Sequence, residues 1–154
     1  MSKHTAAIHW QNHGPDFLKR QYSREHAWHF DGGAVVSASP SPHIVPAPWS
    51  NAASVDPEEA FVASVASCHM LWFLHVAINA GFLAESYDDN AEGVMTKNER
   101  GLLWISQITL RPHIIWGGAK IPTADEIAHL HHLAHEQCFI ANSIKTDVQV
   151  QPRD

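Results

Sequence analysis

A long apolar run at residues 56–81, DPEEAFVASVASCHMLWFLHVAINAG, constrains the fold of this chain more than any other feature. It begins with Asp56 as a candidate N-cap, Pro57 at the first helical position and Glu59 three residues after the cap, which is a capping box. Gly81 supplies a C-terminal stop. Because apolar residues cover most of the circumference between these limits, we predict a central helix that is buried on most sides.

The same run raises the question of a membrane span. It carries Glu58, Glu59, His69, His75 and Asn79 and lacks an uninterrupted stretch of about 20 apolar residues, so no membrane span is expected. The net charge of −6, with no block of Lys and Arg, argues against nucleic acid and anionic membranes as partners. The N-terminus lacks a signal-peptide pattern, and a cytoplasmic location is expected.

The first part of the chain reads as a strand pair followed by a long loop. Tyr22–Phe30 alternates with an aromatic face, which predicts a strand. Asp31-Gly32-Gly33 is a hairpin turn signal, and Ala34–Ser39 is the predicted returning strand. The four prolines within Ser39–Ser54 exclude a helix or a central strand and predict a loop that is long enough to be functional.

The second part of the chain adds a strand pair, a helix and a last strand. The segments Glu92–Lys97 and Leu102–Arg111 flank a turn, Pro122–Cys138 has helical periodicity, and Ile144–Gln151 alternates cleanly. The order β-β-α-β-β-α-β predicts an α+β fold in which antiparallel sheet packs on helices. A single domain is expected over residues 1–154, with residues 1–20 as a peripheral or poorly ordered segment.

The two cysteines lie on the inward faces of the two predicted helices. Cys68 follows Val65 by three residues, and Cys138 follows Ala134 by four, so the thiols could meet between packed helices. A disulfide requires Cα atoms within about 7 Å, a separation that packed helices reach. Burial as small core residues, metal binding and thiol chemistry all remain open, whereas a permanent disulfide is unusual in a reducing compartment.

Two charged residues bear on this choice. Arg24 lies on the aromatic face of its strand, where a guanidinium either needs an anionic partner or extends to water. Glu58 precedes Cys68 by ten residues, about 15 Å of helix rise, so the two cannot share one site within a single helix. Glu58 is equally explained as a first-turn acid that the helix dipole favours.

A metal site is the second hypothesis for these residues. His131, His135 and Cys138 recur at i, i+4 and i+7 on one helical face, and the Cys68-His69 pair could approach them. Thiolate and imidazole suit zinc or copper. Core packing and free-thiol chemistry account for the same residues, so no metal ligands are assigned.

Two segments resemble the OsmC/Ohr family of osmotically inducible and organic hydroperoxide resistance proteins. Residues 56–74, DPEEAFVASVASCHMLWFL, resemble its cysteine helix, and residues 130–143, LHHLAHEQCFIANS, resemble its second-cysteine segment. REHAWHFDGG and the strand order also fit. The resemblance implies an OsmC-like α+β fold with antiparallel sheets around long central helices, an intertwined homodimer with shared active sites, and thiol-dependent reduction of organic hydroperoxides without a cofactor.

Carried over by residue, the resemblance implies that Cys68 is the peroxidatic cysteine and Cys138 the resolving one. Glu58, directly after Pro57, matches the glutamate that holds the catalytic arginine, and a dimer lets it serve the partner's thiol. Many members carry that arginine in or beside the first hairpin turn. Here the turn has none, so Arg24 is the candidate and Arg20 the reserve.

The implied reaction needs an organic hydroperoxide and a reductant. Phe61, Trp72 and Trp49 are expected to form an apolar substrate pocket that favours bulky peroxides. A lipoyl- or thioredoxin-like dithiol would reduce the Cys68–Cys138 disulfide by exchange. A small-molecule-binding protein with inert thiols is the third hypothesis, which the absence of a turn arginine favours.

Overall fold

A computed structural model describes residues 1–153, which fold into eight strands, two α-helices and one short 3₁₀ helix. Two compact units divide the chain, residues 1–60 and the residues from Phe61 onward. The predicted α+β class is confirmed. In chain order the elements are β1 (Ala6–His9), β2 (His26–Phe30), β3 (Val35–Ala38), α1 (Pro57–Asn79), β4 (Leu83–Asp89), β5 (Glu92–Lys97), β6 (Leu103–Leu110), β7 (Pro112–Gly117), α2 (Ala124–Gln137), η1 (Ala141–Ser143) and β8 (Asp147–Val150).

The first unit contains a three-stranded antiparallel sheet in the order β1-β2-β3. The predicted hairpin is confirmed: Gly33, at φ +86°, donates its N–H to the Phe30 carbonyl at 3.0 Å. The strand predicted from Tyr22 begins only at His26. The residues before His26 are not part of the sheet, because the Arg24 N–H donates to the Trp49 carbonyl, at 3.0 Å, instead of to a neighbouring strand.

The predicted proline loop is irregular but anchored. The Ser39 hydroxyl accepts the Asn51 N–H at 2.8 Å near its end. Val55 then bridges back to β3, with its N–H donating to the Ser37 carbonyl and its own carbonyl accepting the Ser39 N–H, both at 3.0 Å. These bonds bring the chain to Asp56, where α1 begins.

The predicted limits of α1 are confirmed. Glu59 donates its N–H to Asp56 Oδ1 at 2.7 Å, and Asp56 donates its N–H to Glu59 Oε2 at 3.1 Å, which completes the capping box. After the last turn Gly81 adopts φ +77° and donates to the Ile78 carbonyl at 2.9 Å. Glycine tolerates this left-handed conformation without a steric penalty.

Within one chain α1 buries a single stripe, not most of its surface. The prediction of burial on most sides is therefore wrong for the isolated chain, because Leu71 is 61% exposed and Ile78 71% exposed. By length and composition α1 could cross a membrane, but the core helix of a soluble protein passes the same test. Its buried stripe packs into the protein core, as a core helix does; its members are Val65, His69, Phe73, Val76 and Ala77.

The second unit contains two sheets. The strand predicted at Glu92–Lys97 is confirmed as β5, which pairs antiparallel with β6. The last strand, β8, is shorter than predicted and pairs with β6 in parallel, so this sheet is mixed rather than antiparallel throughout. The sequence analysis missed β4 and β7, which pair antiparallel with each other, and β1 in the first unit. Neither β1 nor β7 alternates between buried and exposed residues, whereas β4 alternates with one irregularity near its bulge between Ala84 and Ser86.

Two hydrophobic clusters show how α1 is held. One, centred on Phe73, brings together α1 and the buried side of α2. The other joins Val65 to Ile108 and Leu110 of β6. The helix α2 begins after Thr123, which forms a capping box with Glu126, and ends before Cys138. The two helices that carry the cysteines therefore belong to one core.

Candidate functional site

The two thiols meet between α1 and the end of α2. Both cysteines are free; Cys68 is half-buried and Cys138 is fully buried. Cys68 lies on the edge of the buried stripe of α1, and Cys138 is the C-cap of α2. The Cys68 side chain is close enough to act on the Cys138 thiol as a hydrogen-bond partner and as a like charge. A thiol pair of this kind can be oxidised to a disulfide.

Cys138 is poorly ionised. Burial, followed by the contact with Cys68, raises the pKa of the Cys138 thiol to about 11. The Ala141 N–H opposes this effect, because it donates to the Cys138 sulfur at 3.4 Å. Cys138 is therefore a thiol at neutral pH, and the backbone N–H groups of Ala141 and Ile140 would stabilise its thiolate form.

The turn after Cys138 is fixed by its own hydrogen bonds. The Asn142 amide group donates to the carbonyls of Glu136, at 2.8 Å, and Cys138, at 3.0 Å. The Ser143 hydroxyl donates to the Phe139 carbonyl at 2.7 Å. These bonds satisfy carbonyls at and beyond the helix end and hold the Ala141 N–H on the sulfur. The Asn-Ser pair thus keeps the geometry around Cys138.

Two aromatic side chains stand beside this turn. Trp72 and Phe139 meet edge to face with ring centroids 5.3 Å apart, and Trp72 also meets His75 at 5.5 Å. Phe139 is 69% exposed. Phe61, in contrast, packs against the cluster of Val65, Ile108 and Leu110. Of the predicted pocket residues, Trp72 is therefore the one found next to the Cys138 turn.

A buried histidine pair, which was not predicted as a pair from the sequence, joins α1 to α2. His69 Nε2 and His131 Nδ1 are 3.0 Å apart in a hydrogen bond, and the rings are stacked at 5.3 Å. Burial, followed by the charge of His135, lowers the pKa of His69 to about 4. Burial, followed by the charge of His69, lowers the pKa of His131 to about 3. The available signal was that His69 directly follows Cys68 and that His131 shares one predicted helical face with Cys138.

The predicted His/Cys metal hypothesis gains no support from this geometry. No group of three or more His, Cys, Asp or Glu side chains within residues 1–153 is arranged to hold a metal ion. Two of the nitrogens that such a site could use, His69 Nε2 and His131 Nδ1, are hydrogen-bonded to each other. Burial and hydrogen bonding account for His69 and His131 without an ion.

Arg24 is held by its own segment. Its Nη1 donates to the Tyr22 carbonyl at 2.7 Å and the Arg20 carbonyl at 3.2 Å, and its guanidinium lies 3.9 Å from the centre of the Tyr22 ring. The expectation that Arg24 sits on a strand is wrong, since β2 begins two residues later. Among residues 1–60 no carboxylate forms an ion pair with it, and Arg20 adopts φ +62° in the preceding turn.

A cavity of about 480 Å³ opens beside Arg24 within the first unit. Its walls are mainly apolar and aromatic, and Arg24 and His26 are its polar members. Trp49 does not line it but supports Arg24 through the backbone bond described above. The lining residues are Ile8, Trp10, Phe17, Tyr22, Arg24, His26, Pro40 and Pro57.

Glu58 lies in the first turn of α1 and is half-buried. Within residues 1–153 its carboxylate has no hydrogen bond or ion pair, whereas the neighbouring Glu59 is occupied by the capping box. The structure of one chain therefore brings Cys68 and Cys138 together and leaves Glu58 with its carboxylate unengaged.

Comparison with known proteins identifies similar sequences and folds. A family model described as OsmC-like protein matches residues 50–153. A search of curated proteins finds no match. The chain is 48% identical to an OsmC-like protein of unknown function from Vibrio cholerae, with a TM-score of 0.96 over 99% of this chain and 100% of that one.

Two structures of organic hydroperoxide resistance proteins are also similar. The one from Elizabethkingia anophelis is 18% identical, with a TM-score of 0.72 over 99% of this chain and 94% of that one. The one from Bacillus subtilis is 20% identical, with a TM-score of 0.64 over 97% and 98%. At these identities the likeness concerns the fold.

Proposed function

The chain belongs to the OsmC-like family, and on that premise we propose that it is a thiol-dependent peroxidase that reduces organic hydroperoxides. The observation that carries the proposal is the contact between the Cys68 and Cys138 thiols inside one helical core. Structures named for organic hydroperoxide resistance have the same fold, which supports the substrate class.

Cys68 is the thiol that attacks the peroxide. It is half-exposed, whereas Cys138 is buried and protonated at neutral pH. The Cys68 thiolate attacks the terminal peroxide oxygen, the O–O bond breaks, and the substrate leaves as an alcohol after taking up a proton. The sulfur is oxidised to a sulfenic acid.

Cys138 completes the oxidative half of the cycle. Its sulfur attacks the Cys68 sulfur, an S–S bond forms, the S–O bond breaks, and the oxygen leaves as water with the Cys138 proton. The disulfide protects Cys68 from irreversible oxidation. An external dithiol of the lipoyl or thioredoxin type then reduces it by exchange. A reducing cytoplasm is the compartment that suits this cycle.

The activating charge is supplied across a homodimer in this proposal. Glu58 and Cys68 lie ten residues apart on one helix, about 15 Å of rise, so one carboxylate cannot serve its own thiol. Glu58 would orient the guanidinium of Arg24 near the Cys68 of the partner chain. The unengaged Glu58 carboxylate and the exposed Leu71 and Ile78 of α1 support this arrangement.

The substrate pocket is formed in the same assembly by Phe61, Trp72 and Trp49. Large apolar side chains favour an alkyl or aryl hydroperoxide over hydrogen peroxide, because burial of the organic group adds binding energy. Trp72 is supported in this role by its contact with Phe139, the residue after Cys138.

Mass spectrometry after one equivalent of cumene hydroperoxide tests the proposal. We expect the reduced protein to lose two hydrogens and to yield a peptide pair linked through Cys68 and Cys138. The variant Cys68→Ser should lose peroxidase turnover, and Arg24→Ala should lower it strongly. Free thiols that persist in the wild type, or turnover equal to wild type in Cys68→Ser, would contradict the proposal.

A small-molecule-binding role is the second candidate. The apolar cavity of about 480 Å³ favours it, together with an Arg24 that already donates to two carbonyls. In that case Cys68 would react with iodoacetamide no faster than a model thiol at neutral pH. An apolar acid should then bind, and Arg24→Ala should weaken its binding.

A further inference from the structure

The hydrogen bond between His69 and His131 is a buried polar contact between the two helices that carry the cysteines. The side chains are 1% and 4% exposed, and their ring planes differ by 10°. Phe73 stacks on His131 from the other side, with centroids 4.2 Å apart and planes 27° apart. The pair is therefore fixed in both distance and orientation.

The pair and the thiols belong to the same two helical segments of the chain. His69 directly follows Cys68 on α1, and His131 precedes Cys138 by seven residues, about two turns of α2. The same two helices thus hold both contacts. A shift of either helix along its axis changes the His69–His131 and Cys68–Cys138 distances together.

A hydrogen bond restrains such a shift more sharply than apolar contacts do. The apolar cluster around Phe73 can adapt to a small displacement by rotamer changes. A nitrogen–nitrogen bond of 3.0 Å weakens steeply beyond about 3.5 Å, and breaking it inside the core leaves two polar rings unpaired. Disulfide formation is equally demanding, since the Cβ atoms must come within about 4.5 Å.

The bond requires the accepting ring to be neutral. One nitrogen must donate its proton while the other accepts with a lone pair, and a doubly protonated ring cannot accept. Burial keeps both rings neutral at physiological pH, as their lowered pKa values indicate. Whichever ring donates, His69 Nδ1 and His131 Nε2 remain as one free donor and one free acceptor, both buried and unpartnered.

We propose that His69 and His131 are positioning residues that lock the register of α1 against α2 and so hold Cys68 and Cys138 within bonding range. The inference rests on the proposed function, because it assigns the pair to the disulfide-forming step. Neither ring touches the peroxide. Their effect is to raise the effective concentration of one thiol at the other.

The effective concentration of the thiol pair is the quantity to measure. The full-length protein is equilibrated with reduced and oxidised glutathione at neutral pH, where two protein thiols and one glutathione disulfide give the protein disulfide and two glutathione thiols. We expect the leucine variants His69→Leu and His131→Leu to lower the equilibrium constant roughly tenfold, since each leaves the opposite ring unpaired and free to shift.

Conservative replacements provide the rescue. His69→Gln keeps a polar atom near the position of Nε2, and His131→Asn keeps one near Nδ1, so these variants should stay within about threefold of wild type. The double variant His69→Leu/His131→Leu removes both imidazole rings, so neither is left unpaired in the core and the protein should fold well. It should still lose the restraint on the register of α1 against α2.

Val76→Ala is the matched control. Val76 lies in the same core and on the same helix but does not hydrogen-bond. It should destabilise the fold in urea unfolding and leave the glutathione equilibrium within about threefold of wild type. Leucine variants that match the wild type, or a control that falls as far as they do, would overturn the positioning role.

The measurement separates this inference from the peroxidase proposal, because it uses no peroxide. If the wild type reduces no hydroperoxide but the leucine variants still lose about tenfold in the glutathione equilibrium, the peroxidase proposal fails and the positioning role stands. If peroxidase turnover is present and the equilibrium is unchanged in the variants, only the positioning role fails. A wild type that forms no Cys68–Cys138 disulfide with glutathione overturns both.

Discussion

Cys138 and Cys68 differ in exposure, and the proposed cycle assigns them separate tasks on that basis. With a pKa of about 11, Cys138 holds roughly one thiolate in ten thousand molecules at neutral pH. Oxidation of Cys68 to a sulfenic acid removes the thiol that contributes to this shift, whereas the Ala141 N–H stays in place. Burial, the largest cause of the raised pKa of Cys138, is unchanged by this step, so the proposed order rests on the greater exposure of Cys68.

The variant Cys138→Ser should separate the two steps. We expect one fast turnover with cumene hydroperoxide, followed by accumulation of a Cys68 sulfenic acid that dimedone traps, because no second thiol can condense with it. Mass spectrometry of the dimedone adduct and a single-turnover assay measure this. In Cys68→Ser, the matched variant, no adduct should form; an adduct on Cys138 in that variant would contradict the assigned order.

At the scale of elements, the contact between α1 and α2 makes stability depend on pH. Both His69 and His131 titrate far below the ordinary histidine value of 6.5 in the folded protein. Between pH 6.5 and about 4 the unfolded chain therefore binds more protons at these rings than the folded chain. The free energy of unfolding falls as the pH falls through this window and is fully retained above it.

Urea unfolding at several pH values measures this dependence. We expect a loss of roughly 1 kcal/mol per pH unit for each ring, as an upper estimate. Asp89, whose pKa burial raises, offsets part of the loss, because its folded form takes up a proton more readily. The double variant His69→Gln/His131→Asn should flatten the slope. Equal slopes in wild type and variant would contradict the histidine origin.

At the scale of the whole molecule, one chain leaves its apolar surface incompletely covered. Leu71 and Ile78 on α1 and Phe139 after α2 are each more than 60% exposed. A second copy that covers them would account for a helix that is apolar nearly all round yet buried on one stripe. The homodimer of the proposed function is such an assembly.

Mixing two inactive variants tests whether the active site is shared. Glu58→Gln lacks the carboxylate and Cys68→Ser lacks the thiol, and each alone should be nearly inactive. If Glu58 serves the partner's Cys68, a mixed dimer has one intact site, and random mixing should restore about one quarter of wild-type activity. No recovery after subunit exchange, with mixed dimers verified by native mass spectrometry, would mean that the site lies within one chain.

The parts of the structure that depend on neighbouring residues were predictable. Three local features lie where the sequence indicates: the capping box of Asp56 and Glu59, the helix stop at Gly81 and the turn at Gly33. The strands β4 and β7 were missed because each is stabilised by pairing with the other, which lies far away in the chain. The strand β2 starts later than predicted because the Arg24 N–H donates to the carbonyl of Trp49, which is remote in sequence.

The sequence by itself determined the α+β class, the limits of α1, the position of Cys68 within α1 and the resemblance to a known family. Only the tertiary structure decided that His69 bonds to His131, that Cys138 is the buried thiol and that Arg24 is held by backbone carbonyls. The reason is physical. Periodicity tells which face of a helix is buried, whereas the partner on that face depends on how the two helices align, and His69 and His131 are 62 residues apart in the chain.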